Sequence, residues 1–334
     1  MTNRTVLAEA LIAPTQWAKA DHVPLAGDAS NRRYDRLTDP ATGRTAVLMD
    51  APPNKGEDVH RFVRMADHLR SVGLSAPEIY AEDAENGFLL LEDLGDDLFS
   101  RVLLRTPKME RTLYEAATDV LITLHDAPIL PLDSFGPTVM AEMTDLAFTK
   151  YAEGITGAPD PNAKASFETR FEDILHREVQ GPKVVLLRDY HSENLLWLPD
   201  REGVARAGLL DFQDAVLGHP AYDLVSLLQD IRRTVPAGIE MTMLNRYIQA
   251  TGVDDHAFRT AYAVLGAQRN LRILGVFARL GSEYGKPHYV DMIPAVWAHL
   301  MRDLDHPALA PVSDLLRDAL PPPSPENLAR LKTS

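Results

Sequence analysis

Residues 184–223, VVLLRDYHSENLLWLPDREGVARAGLLDFQDAVLGHPAYD, constrain the fold more than any other stretch of the chain. An apolar run, 184–187, delivers Arg188 and Asp189; Asn194 stands five residues after that aspartate, and the apolar Leu195, Leu196 and Trp197 follow it. After a turn at 199–203, the run Gly208, Leu209, Leu210 ends at Asp211 and Phe212. Two hydrophobic strands that each end on a carboxylate, with an amide between them, place three oxygen ligands at one edge of a sheet. That is how a protein holds Mg²⁺ near transferable phosphates.

An Asp followed five positions later by an Asn arises by chance about once in a chain of this size, so the spacing alone carries little. Its setting between two short apolar strands, C-terminal to a β-rich region, gives it weight. Asp189 is placed to orient an attacking hydroxyl or accept its proton, and Asn194 and Asp211 supply neutral and anionic oxygens to the metal. His191, inside the same loop, reads either as a general base at the substrate or as a holder of backbone geometry by hydrogen bonds. Asp214 is either a second metal contact or a surface acid ahead of a helix, and is also a candidate at the substrate. Asp223 either caps the helix that follows it or reaches back to brace the loop.

The N-terminal region reads as a sheet with one long helix. Residues 5–13 have helical spacing, ended by Pro14; 22–26 and 32–37 are strands flanking the turn Gly27, Asp28, Ala29, Ser30; and 45–49 is a third strand after the turn signal DPATG. A turn with one glycine reads as an ordinary β-turn before it reads as a phosphate cover. Helical periodicity runs over 57–72, where Val59, Phe62, Val63, Ala66 and Leu69 share a face, and strands follow at 76–81 and 87–91. From residue 97 the chain turns helical, with helices at 109–125, 146–151, 167–179, 224–233, 241–250, 254–280 and 288–304, and a loose Pro-rich tail. These patterns predict an α+β, bilobal chain: 1–91 a small β-rich N-lobe, 92–95 a linker, 96–320 a larger α-rich C-lobe into which the acidic hairpin is inserted, and 321–334 the tail.

A chain of 334 residues with 45% hydrophobic and 25% charged residues has the balance of a soluble globular protein. The absence of cysteine rules out disulfides and thiolate metal sites. No apolar run reaches membrane-spanning length, and Glu9 and Pro14 interrupt any signal-like segment, so a cytoplasmic protein without a membrane partner is expected. A net charge of −14 argues against nucleic acid as a partner. The sequence carries no signal for an oligomeric state.

LRDYHSEN, GLLDFQDAVLGHPAYDL, FLLLEDLG and GDASNRRYDRL resemble the aminoglycoside phosphotransferase and choline kinase branch of the protein-kinase-like fold, over residues 20–300. GDASNRRYDRL, VLMDAPP, RDYHSENLLWL and QRNLRILGVFARL are more closely similar to the bacterial anomeric kinases of N-acetylmuramate and N-acetylglucosamine in cell-wall recycling. The resemblance implies ATP and Mg²⁺ as cofactors, Asp189 as catalytic base, Asn194 and Asp211 on the metal, and Gly27, Asp28, Ala29 and Ser30 over the phosphates. It implies that the backbone of Glu92, Asp93 and Leu94 holds adenine.

Two departures from the family pattern stand out. The third strand, where the fold usually carries a phosphate-pairing lysine, reads AVLMD, and Met49 has no hydrogen to donate. Another cation must substitute, Arg32 and Arg33 being the candidates, with Lys55 also in reach. The second departure is Leu187-Arg188 before the aspartate, where antibiotic-modifying relatives show His-Gly. An arginine there suits an anionic or amide-bearing sugar better than a polycation. Gln268, Arg269, Asn270 and Arg272 add polar groups to a helix whose apolar stripe is Leu271, Ile273, Leu274, Val276 and Phe277. Arg269 and Asn270 face either the sugar or solvent at a helix edge.

The expected function is phosphorylation of the C1 hydroxyl of an amino sugar. Another small-molecule kinase of this fold, for an aminoglycoside, choline or homoserine, and a kinase-like module without catalysis are the competing readings.

Overall fold

A computed structural model describes residues 4–25 and 31–332. In chain order the elements are α1 (Arg4–Ile12), β1 (Asp21–Leu25), β2 (Arg33–Thr38), β3 (Thr45–Asp50), α2 (Val59–Ser71), β4 (Ile79–Asp83), β5 (Phe88–Glu92), α3 (Phe99–Arg105) and α4 (Glu110–Asp126). There follow α5 (Pro137–Glu142), α6 (Glu153–Thr156), α7 (Pro161–Glu178), β6 (Val184–Leu186), β7 (Leu195–Trp197), β8 (Ala207–Leu209) and β9 (Val216–Gly218). The chain ends with α8 (Ala221–Leu228), α9 (Ala237–Thr251), α10 (Asp255–Glu283), α11 (Ile293–Leu304), α12 (Ala310–Ala319) and α13 (Pro325–Lys332). Two compact units form: Met1–Leu124 with Ser192–Ala215, and His125–His191 with Val216–Ser334.

The first unit is built on an antiparallel sheet of order β1-β2-β3-β5-β4. Side chains alternate across a strand, so Leu37, Ala46, Leu48, Phe88 and Leu90 point one way and pack with Ile12 and Trp17 beside α1. Met49, Leu89 and Leu91 point the other way and are also buried. A strand buried on both faces reads as a continuous apolar run, which is why β5 is FLLL rather than an alternating pattern. The side chain of Asp58 accepts a hydrogen bond from the His60 N–H and caps α2, whose Val59, Phe62, Met65, Ala66 and Leu69 are buried. The hairpin of β7 and β8 also belongs to this unit, tied by the Leu209 N–H to Ser75 O (2.8 Å) and the Trp197 N–H to Asp97 O (2.8 Å).

The second unit is helical apart from the antiparallel pair β6 and β9. The long helix α10 is its axis: α7, α8, α11 and α13 all pack on it. The π-helical turn Ala147–Ala152 lies so close to α10 that a Cβ at Gly275 would collide with the backbone of Leu146 and Ala147. Every residue of α8 is buried.

The structure differs from the sequence-based expectation in several places. The helix expected over 224–233 spans Ala221–Leu228. The segment 216–218, to which the sequence pattern assigns no element, is a strand because it pairs with β6. The tail expected to be loose forms α13, whose start is held by Ser324 Oγ accepting the Asn327 N–H (3.2 Å) and whose Leu331 is buried. None of the helices among the described residues is long and apolar enough to cross a membrane.

Candidate active site

In the second unit, the chain leaves buried β6 through Leu187 and enters a turn in which Arg188 has φ 67°, the left-handed region. For a residue with a side chain that conformation costs about 1–3 kcal/mol and persists only where other contacts hold it. Asp223, in the first turn of α8, supplies them: its carboxylate accepts the N–H groups of Leu187 (2.6 Å) and Arg188 (2.9 Å). Of the two roles read for Asp223 from the sequence, the brace is the one observed. Burial pushes its pKa up to about 7, against the lowering effect of the two N–H bonds, and the neighbouring Asp189 charge adds to the rise.

The Asp189 N–H closes the turn onto Leu187 O at 2.8 Å, and its side chain is half-buried. The Arg188 guanidinium lies 5.7 Å from the Phe135 ring centroid. His191 is buried with no hydrogen bond to Nδ1 among the described residues. Burial, then the charges of Arg232 and Arg269, lower its pKa well below the usual histidine value and keep it neutral.

Arg269 and Asn270 are not at a solvated helix edge. Both are buried: Arg269 Nη2 donates to Ser226 Oγ of α8 (2.8 Å), and Asn270 Nδ2 donates to Gln229 Oε1 just past α8 (2.8 Å) and to Asp303 Oδ2 of α11 (3.2 Å). Gln268 Nε2 likewise donates to Met140 O (2.8 Å). Burial pushes the Asp303 pKa up to about 7, opposed by Arg302 and by the Gln229 and Asn270 amides.

In the first unit, the β7–β8 register pairs Leu195 with Leu209, and the Leu210 N–H donates to Asn194 O at 3.0 Å. Asn194 and Asp211 thus sit at one end of a single hairpin. Asp211 has φ 56°, and Phe212, buried beneath it, packs on Phe62 of α2 with ring centroids 4.8 Å apart. Gln213 Nε2 donates to Asp211 Oδ1 at 2.8 Å. Arg32 joins the same place: its Nε donates to Glu57 Oε2 (2.7 Å) and its Nη1 is 3.6 Å from Asp211 Oδ1. Asp214 lies 3.9 Å from Arg61 in an exposed pair.

An amide and a carboxylate oxygen fit a hard cation. Among the described residues no cluster of three or more His, Asp or Glu side chains forms a closed metal cage. Mg²⁺ in phosphoryl-transfer sites keeps waters and phosphate oxygens as its remaining ligands, so the Asn194 and Asp211 pair suits it.

At the end of β5, the Glu92 N–H is taken by Glu78 O (2.7 Å), and Asp93 accepts from Arg36 Nη2 (3.1 Å) and the Gly95 N–H (2.9 Å). Leu94 is half-buried. Gly27, Asp28, Ala29 and Ser30 lie outside the described residues. Sequence reasoning missed Glu57. Its contact with Arg32 spans 25 positions, and no local pattern marks it.

The phosphotransferase enzyme family matches residues 21–262. The N-acetylmuramate/N-acetylglucosamine kinase of Caulobacter vibrioides is 39% identical, in a match that covers 86% of this chain and 88% of that protein. Among solved structures, a choline kinase of Streptococcus pneumoniae is similar with a TM-score of 0.60 at 16% identity, over 89% of this chain and 98% of its own. An ADP-bound aminoglycoside phosphotransferase is similar with a TM-score of 0.56 at 15% identity, over 84% of this chain and 92% of its own. Likeness at such identities is likeness of fold, and the fold is the protein-kinase-like one read from the motifs. With its family match running from β1 into α10, this chain belongs to the phosphotransferase enzyme family.

Proposed function

We propose that this chain is a cytoplasmic sugar kinase that transfers the γ-phosphoryl group of ATP to the anomeric hydroxyl of N-acetylmuramate, N-acetylglucosamine or both, as recovery of cell-wall sugars requires. The observation that carries the acceptor is the match with the Caulobacter kinase. It runs through nearly the whole of both chains, so sugar-recognising residues fall within it as well as phosphate-handling ones.

Asp189 orients the C1 hydroxyl and takes its proton as the new O–P bond forms and the bond from the γ-phosphorus to the leaving oxygen of ADP breaks. A hemiacetal hydroxyl is more acidic than an ordinary alcohol, so positioning contributes more than base strength. The turn braced by Asp223 is the positioning device. Asn194 and Asp211 hold Mg²⁺ through their side-chain oxygens; when bound, the ion neutralises charge on the phosphates. The backbone at Glu92, Asp93 and Leu94 is assigned to adenine, and 27–30 to the phosphates.

On the acceptor side, Arg188 and His191 flank Asp189 in sequence, and Arg269 with Arg232 places positive charge around the buried His191. That field favours the lactyl carboxylate of N-acetylmuramate. Asp214 and Asn270 act at one remove, through Arg61 and through Gln229 and Asp303.

The test is ATP turnover measured in parallel with the two sugars, their 1-methyl glycosides and an aminoglycoside. Turnover with the free sugars and none with the methyl glycosides is expected. Equal turnover with a methyl glycoside, or turnover confined to the aminoglycoside, overturns the acceptor.

A further inference from the structure

Met49 is buried on β3 and has no hydrogen to donate, so the sheet offers no cation at that point. The register shows where one comes from. Tyr34 pairs with Met49 and Arg36 with Val47, so side chains at 34, 36, 47 and 49 share one face of the sheet. The opposite face carries Leu37, Ala46 and Leu48 into the core with α1. Arg32, two residues before Tyr34, continues the alternation onto the Met49 face, whereas Arg33 opposes Asp50 on the other face and is exposed.

We propose that Arg32 is the cation that pairs with the phosphates of the nucleotide, and that Glu57 is the positioning residue that aims it. This rests on the kinase reading above. Arg32 lies where a phosphate cation has to be. Its guanidinium is 3.6 Å from Asp211, one of the two residues assigned to the metal, and its side chain is only 13% exposed. Glu57 holds the Nε edge at 2.7 Å from just ahead of the cap of α2, which fixes the plane of the guanidinium. Tyr34, half-buried on the same strand face, also hydrogen-bonds Arg32. Charge balance points the same way. Arg32, Glu57 and Asp211 sum to one net negative charge; a divalent cation turns that into one net positive charge, which a polyphosphate then meets. Lys55, the other cation weighed for this role, is exposed in the turn Pro53–Lys55.

The experiment compares equilibrium binding of ATP with Mg²⁺ and of adenosine to the full chain and to Arg32→Met, Arg32→Gln, Glu57→Gln and Arg33→Met. Adenosine carries the base and sugar without phosphate, so a merely structural loss lowers both affinities and leaves their ratio unchanged. The ATP-to-adenosine affinity ratio is expected to fall about tenfold or more in the Arg32 variants, to fall by a smaller factor in Glu57→Gln, and to stay unchanged in Arg33→Met. An unchanged ratio in either Arg32 variant that folds overturns the proposal, as does a wild-type chain that binds ATP no better than adenosine. A chain whose ATP affinity depends on Arg32 but which phosphorylates no amino sugar leaves the proposal standing and refutes the acceptor reading instead.

Discussion

The buried carboxylate of Asp223 holds the backbone N–H of Arg188 at 2.9 Å, 35 positions earlier in the chain, and keeps that residue in the left-handed region beside Asp189. An asparagine there offers one acceptor in place of two and turns an N–H₂ group toward a backbone N–H. Asp223→Asn is expected to lower stability by about 2 kcal/mol and kcat by ~100-fold, with the KM for ATP little changed. Thermal melts and steady-state kinetics on the same preparation check both.

Asp189→Asn keeps the size of the side chain and removes its capacity to take a proton. A drop in kcat of about 10²- to 10⁴-fold is expected, with ATP binding retained. Near-normal turnover in this variant removes Asp189 from the mechanism.

Removing divalent cations with EDTA is expected to abolish turnover and Mg²⁺ to restore it. Asp211→Asn, which replaces a charged ligand with a neutral one, shifts the Mg²⁺ concentration for half-maximal rate upward by about tenfold or more. A titration of rate against Mg²⁺ that is the same in wild type and variant contradicts the assignment of Asp211.

Asp303 has a folded pKa pushed up to about 7 by burial, against an unfolded value near 3.8. The folded state therefore keeps a proton that the unfolded state has lost. The resulting stability is fully present below the unfolded pKa and is lost as pH rises through the folded pKa near 7. Asp303→Asn removes this contribution. The stability of wild type relative to the variant is expected to decline from about pH 4 to pH 7 and to level off above, as read by denaturant melts at a series of pH values. A difference that rises over that range reverses the sign and refutes the argument.

Gly275→Ala drives a methyl group into the backbone at Leu146 and Ala147, with no flexible side chain to yield. A loss of about 1–3 kcal/mol is expected. Gly285→Ala, in open space, instead reports the cost of a positive φ alone and serves as a comparison in the same melts.

The parts of the site that were legible in the sequence are those set by short-range pattern. The apolar periodicity of Val59, Phe62, Ala66 and Leu69 predicts α2, and a carboxylate at the end of each apolar run marks Asp189 and Asp211. What was not legible depends on partners far along the chain. Val216–Gly218 is too short to show a pattern and becomes a strand only by pairing with β6. Glu57 acquires meaning from Arg32, and Asp223 from the amides of Leu187 and Arg188. Arg269 and Asn270 interrupt an apolar stripe in the way exposed residues do, yet hydrogen bonds to Ser226, Gln229 and Asp303 let them lie buried. The tail is a different case. Ser324 followed by Pro325 and Glu326 is a helix-start signal, and the proline count obscured it.

The chain passes from one compact unit to the other three times, after Leu124, after His191 and after Ala215. During synthesis the first unit cannot close until residue 215 has left the ribosome, because β7 and β8 belong to it. By then residues 125–191 of the second unit have already emerged and must wait for α8 to α13. A nascent chain halted between residues 125 and 215 therefore exposes apolar surface from both units at once. No single cut in the polypeptide releases either unit intact, so truncation series of this protein are expected to yield insoluble fragments until nearly the full length is made.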